Sequence, residues 1–169
     1  MKSYLTTDTS SDIRAALRED HVRIRKLASE MAEARTASQR LAHYEALKPL
    51  LTAHARTEER VVYDALLRVR GSPDSHDLGN EGFVEHSLVD VLLERLGKTS
   101  LAGTDAWKAH ATVLKELLDH HIEEEEGEFF EELGEHFDND ALAAMAVEFQ
   151  GGKARMLGLE EPAEDQRRR

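Results

Sequence analysis

Cysteine is absent from the 169 residues, which excludes disulfides, thiolate metal sites and cysteine nucleophiles. Any metal would have to be held by imidazole, carboxylate or water. Proline occurs three times and aromatics make up 5% of the chain. Ala, Leu, Glu and Arg dominate instead, the composition of long helices. No apolar run approaches the roughly 20 residues of a membrane-spanning helix. Met1 to Ser11 contains no apolar signal-peptide core, so the cytoplasm is the expected location. Positive charge is also scarce: the formal net charge is −12. Such a surface repels phosphate and argues against a nucleic-acid partner. The terminal Arg167-Arg168-Arg169 reads as part of a frayed tail.

What the chain does have is helical periodicity and nine histidines. Apolar residues recur at helical spacing in four segments, about 12–33, 38–70, 81–96 and 104–133. Ser10 or Ser11 is the expected first N-cap. Gly71-Ser72-Pro73, Gly97 and Gly134 are the expected stops. A weaker segment, about 139–149, predicts a short fifth helix before Gly151-Gly152. Nothing reads as a strand. The expected fold is all-α, an up-down-up-down antiparallel four-helix bundle, because short connections make consecutive helices antiparallel neighbours. One domain covers residues 1–158, its core about 12–134, with 159–169 as a flexible tail. The core stripes are Ile13, Leu17, Ile24 and Ala28; Tyr44, Leu47, Leu51 and Val62; Phe83 and Leu93; and Trp107, Leu114, Leu118 and Phe129.

The wrong residues interrupt those stripes. His21 stands in phase between Leu17 and Ile24, and His86 stands between Phe83 and Leu93. The second stripe continues into His54 and Glu58, the fourth into His121 and Glu125. A spacing of i, i+4 puts His and Glu on one helix face, one turn apart. Two buried carboxylates with no inward Lys or Arg would be costly, and divalent cations would neutralise them. Imidazole plus carboxylate suits iron, and also zinc or manganese. The pair is repeated: His54-x3-Glu58-Glu59 with Val62-Tyr63 matches His121-x3-Glu125-Glu126 with Phe129-Phe130. The two halves thus offer the same ligand pair, as a dinuclear site requires.

With Asp20-His21 and Glu85-His86 in the same order, these residues resemble the hemerythrin-like (HHE) family of non-haem di-iron proteins. The resemblance covers about 12–134. It implies two iron ions with Glu58 and Glu125 bridging, His21 and His54 on one iron, and His86 and His121 on the other. An oxo, hydroxo or water bridge would complete the pair, and an open position would take dioxygen, nitric oxide or peroxide. One departure stands out. Oxygen-carrying hemerythrins have two His one turn apart on the third helix, whereas here Gly82 and Asp90 flank His86 at that spacing. Asp90 or water would fill the missing position, leaving a more open iron. The second HxxxE resembles bacterial members, since in the oxygen carriers the last carboxylate falls one residue later.

The remaining polar residues have plainer readings. His120 shares a four-residue spacing with Glu124 but is out of phase with the repeat, and belongs to the surface. His43 and His110 read as structural, His76 and His136 as loop residues. Glu59, Glu126 and Glu85 are candidates to orient ligand histidines. Tyr44 and Tyr63 read as core aromatics, Tyr63 being a further candidate near the metal. Ferritin-like bundles use Glu-x-x-His, zinc proteases His-Glu-x-x-His or its inverse, and neither pattern occurs. No catalytic residue is assigned. Ligand binding, peroxide or nitric oxide turnover, and iron storage or zinc stabilisation all remain compatible with the same six ligands.

Overall fold

The computed structural model describes residues 12–159. Five helical rods make up this part, and among the described residues there is no strand. Helix α1 is Ile13–Glu33, and α2 is Ala37–Glu58, which runs on through a π-helical turn, Glu59–Tyr63, into Asp64–Leu66. Helix α3 is Pro73–Leu96. Helix α4 is Asp105–Glu124, extended by a second π-helical turn, Glu125–Phe129, and by Phe130–His136. Helix α5 is Asn139–Leu157. The all-α bundle is the expected one: α1 packs on α2 and α4, α3 packs on α4 and on the α2 extension, and α5 lies across α1 and α2.

Several boundaries differ from the sequence reading, each for a local reason. Ser10 and Ser11 lie outside the described residues, and the cap of α1 is Asp12, whose carboxylate accepts the Arg14 N–H at 2.9 Å. The second rod stops before Gly71-Ser72-Pro73 as expected, but α3 begins at Pro73 and not near residue 81. A proline at the first helical position loses no hydrogen bond, and Ser72 caps the turn by accepting from the Ser75 N–H. His76 therefore lies within α3, and His136 closes the α4 extension beyond Gly134, so neither is a loop residue. Gly151 and Gly152 do not stop α5 either. A Cβ on Gly152 would stand 2.6 Å from Thr57 Cγ2, so the glycine permits close packing of α5 on α2. The helix ends at Gly158, in the left-handed conformation. Apart from Leu159, the expected tail lies outside the described residues.

The core is divided in two. One apolar cluster includes Ile24, Met31, Leu47, Leu51, Leu93, Trp107, Leu114 and Leu118. The other includes Ile13, Leu17, Val62, Leu66, Phe129, Phe130, Leu133 and Phe149. Along α1, α2 and α4, the residues that separate the clusters are His21, then His54 with Glu58, then His121 with Glu125. A polar layer thus crosses the middle of the bundle, held in register by hydrophobic packing on both sides. Tyr44 is a core aromatic whose hydroxyl donates to Leu93 O at 2.9 Å.

Candidate metal centre

All six residues placed in phase with the stripes are buried: His21, His54, Glu58, His86, His121 and Glu125. They form two overlapping groups, His21–His54–Glu58–Glu125 and Glu58–His86–His121, whose facing atoms lie within 4.8 Å of one another. Each imidazole turns Nε2 inward. His21 Nε2 is 3.2 Å from Glu125 Oε2, His54 Nε2 is 3.3 Å from Glu58 Oε2, and His121 Nε2 is 3.4 Å from Glu125 Oε1. His86 Nε2 lies 3.7 Å from Glu58 Oε2 and 3.1 Å from His121 Nε2.

The opposite ring nitrogen of every histidine meets a carboxylate. His21 Nδ1 donates to Glu126 at 2.8 Å, His54 Nδ1 to Asp20 at 3.1 Å, His86 Nδ1 to Glu59 at 3.0 Å and His121 Nδ1 to Glu85 at 2.5 Å. A carboxylate on Nδ1–H leaves the Nε2 of a neutral ring with its lone pair facing inward, as metal-ligating histidines require. The assignments follow a two-fold pattern. His21 on α1 is held from α4 and His86 on α3 from α2, while His54 is held from α1 and His121 from α3.

Lone pairs and two buried carboxylates converging on one point demand positive charge. Three inward atoms, His21 Nε2, Glu58 Oε1 and Glu125 Oε2, lack any hydrogen-bond partner. Buried polar atoms of this kind call for an ion. Without one, protons take its place. Burial alone would lower the His54 pKa, but Glu58 and Asp20 raise it to about 10; His121 rises against burial to about 9 beside Glu125 and Glu85. Burial would likewise raise Glu125, yet His121 and His21 hold it far below the usual carboxylate range. The donor set therefore fits two divalent cations.

Tyr63 is fully buried, and its ring is packed between Phe83 and Phe129. Its hydroxyl is inside the polar layer, donating to Glu125 Oε1 at 2.6 Å and standing 3.2 Å from His86 Nε2 and 3.4 Å from Glu58 Oε2. Two local features bring it there. The π-helical turn, closed by the Asp64 N–H on Glu59 O, adds a residue to the turn and brings the fifth residue after Glu58 back onto the inner face. Gly82, one turn before His86, then leaves room: a Cβ there would lie 2.6 Å from the Tyr63 ring. Tyr63 thus takes up space beside the position where the sequence lacks a second histidine on α3.

Asp90 goes elsewhere. It is exposed and paired with Arg56, whose guanidinium also binds Glu59 at 2.5 Å. Its link to the site runs through Arg56 and Glu59 to His86. His120 is exposed and paired with Glu124 at 3.3 Å. His43 and His110 are bound to Glu30 and to Ala106 O, away from the cluster.

The sequence reading gave no role to Asp20 or Lys153. Asp20 is 1% exposed and joins His54 to the Lys153 ammonium on α5. Burial favours its neutral form, but His54 and Lys153 hold its pKa below the ordinary value. The acid immediately before His21, matched by Glu85 before His86, is the one signal that pointed to this role. Lys153 gave no signal, because α5 packs against the site from outside the repeat.

The family whose pattern this arrangement satisfies is the hemerythrin HHE cation binding domain, matched over residues 12–133. The chain belongs to that family. Among curated proteins, this hemerythrin-like chain is similar to a DNA nickase of Nostoc sp. (strain PCC 7120), 23% identical over 145 residues. The match covers 86% of this chain and 40% of the nickase's length. No solved structure matches the chain. Among the described residues no helix is long and apolar enough to cross a membrane.

Proposed function

We propose that this hemerythrin-like chain is a non-haem di-iron protein that binds dioxygen, nitric oxide or peroxide inside its bundle. His21 and His54 would hold one ion, His86 and His121 the other, with Glu58 and Glu125 shared between them. The observation that carries this reading is the convergence of four Nε2 atoms and two carboxylates, each imidazole backed by its own carboxylate. When bound, the iron pair would supply the electrons and the open coordination position. The protein supplies neutralised charge, a dry surround and fixed imidazoles. The cytoplasm is the proposed setting, on the sequence reading alone. The nickase's name describes a protein in which this region is a minor part, and the −12 charge gives no reason to bring DNA here.

Tyr63 favours a second reading, an oxidoreductase acting on peroxide or nitric oxide. In the metal-free protein, burial with Glu125 and Glu58 keeps the phenol pKa well above its ordinary value, and the hydroxyl stands beside His86. It would serve as a proton donor at the more open ion. The test is to add hydrogen peroxide, then nitric oxide, to iron-loaded protein and to follow the near-ultraviolet spectrum against turnover. Stable spectral change without turnover supports binding, and steady peroxide loss supports the enzyme. Loading with zinc but not iron, or no spectral response to any of these ligands, would contradict both.

A further inference from the structure

The two ends of the polar layer are closed differently. On the His54 side, α5 lays Phe149 against the imidazole, with ring centroids 5.5 Å apart, and ties Lys153 to Asp20. On the His121 side, Gly82 contributes no side chain. A small cavity of about 20 Å³, the size of one water, is lined there by Gly82, Glu85, His121 and Glu125. Glu125 is 2% exposed, and its Oε1 lies 3.4 Å from His121 Nε2. The cavity lies next to a larger one. Leu78 and Glu81 line both it and an outer cleft of about 410 Å³ between the start of α3 and the α4 extension.

The outer cleft is built for positive charge. Seven of its eight lining residues are Asp or Glu, Leu78 being the other. Glu132 is engaged by Ser72, Ser75 and His136, joining α3 to the α4 extension. Asp77, Glu81 and Glu131 are exposed along the cleft. A concave wall of one sign concentrates counter-ions and raises their arrival rate. The inner cavity has room for about one water, so an ion entering it would shed most of its hydration shell against Glu85, His121 and Glu125.

We propose that this α3–α4 cleft is the metal-loading mouth: it gathers a hydrated divalent cation and delivers it to His121 and Glu125. The inference rests on the metal-centre reading above. The same field slows small anions such as azide and leaves neutral ligands unaffected.

The test uses metal-free full-length protein and Co²⁺ alone, followed by stopped-flow absorbance. The variant Asp77→Asn/Glu81→Gln/Glu131→Gln is compared with Glu19→Gln/Glu45→Gln/Glu116→Gln, which removes the same charge from exposed positions outside the cleft. At low ionic strength the cleft variant is expected to load roughly tenfold more slowly, with unchanged final stoichiometry and melting temperature. The control variant is expected to load like the parent, and the difference is expected to vanish in about 1 M salt. Equal slowing in both variants, or in neither, overturns the mouth while leaving the metal centre intact. A parent protein that takes up no Co²⁺ overturns the metal-centre reading and this one with it.

Discussion

The bundle contains one half-site twice, and the copies agree inside and disagree outside. Asp20, His21, His54, Glu58 and Glu59 on α1 and α2 correspond to Glu85, His86, His121, Glu125 and Glu126 on α3 and α4. Even the π-helical turns recur, one after Glu58 and one from Glu125. Outside that set, Leu17 faces Gly82 in the comparison and Phe130 faces Tyr63. Leu17 and Phe130 are buried in one apolar cluster, and the Phe130 ring stacks on His21 at 13°. Gly82 and Tyr63 instead put a hydroxyl and a narrow cavity beside His86 and His121. For the two cations proposed, the repeated part would supply balancing charge on both sides. The difference would leave one of them open to a small ligand.

The largest effect is expected from breaking what the halves share. Glu58→Ala should lose both ions, whereas His21→Ala and His86→Ala should each lower occupancy by about one, since Glu58 belongs to both ligand groups and each of these imidazoles to one. Metal content after dialysis checks this. Equal loss in all three variants would mean that the halves are not separable.

Next is acidity. In the metal-free protein His54 titrates at about 10 and His121 at about 9, against 6.5 when unfolded. Their pairing therefore stabilises the metal-free fold fully below pH 6.5, and that stabilisation is lost as pH rises through about 9 to 10. Loading must expel these protons, so metal affinity should rise with pH, about tenfold per pH unit for each proton released. Calorimetry in buffers of different ionisation enthalpy measures that release. Proton-independent loading near neutral pH would contradict it.

A smaller effect separates the outer supports. Lys153→Met leaves the Asp20 carboxylate buried without its ammonium, and should cost about 3 kcal/mol in the metal-free protein. Glu85→Gln removes a charge from a residue at the cavity lining, with an expected cost of about 1–2 kcal/mol. Urea unfolding of both variants ranks the two supports, and the reverse order would contradict the described role of α5. Least in stability, about 1 kcal/mol, is Tyr63→Phe, which makes the halves alike. Its expected signature is a changed spectrum and peroxide response in the iron-loaded protein, with metal content kept. An unchanged response would assign Tyr63 to packing alone.

Much of this was legible because a buried charge is conspicuous against an apolar stripe. The six inward residues, the helix order and the doubled HxxxE all follow from periodicity. Less legible were features that depend on neighbours distant in sequence. Tyr63 read as a core aromatic and a further candidate near the metal, but its place beside Glu58 and Glu125 was hidden, because an unbroken α-helix would turn the fifth residue away from Glu58 and a π-helical turn is not written in helical spacing. Asp90 lay one turn from His86, as a ligand should, but Arg56 draws it to the surface. Gly71-Ser72-Pro73 does end the second rod, but the third helix starts at Pro73 and not near residue 81, capped by Ser72, and Gly151-Gly152 continue α5, with Gly152 packed on α2.

The claim beneath all of this is that two metal ions share Glu58 and Glu125. The most direct measurement is the metal content of purified protein after reconstitution with ferrous iron, with Mössbauer spectroscopy to report whether the ions are coupled. The account predicts two irons per chain that behave as a coupled pair in the oxidised protein, and none retained by Glu58→Ala. One iron per chain, or two that are magnetically independent, would contradict it.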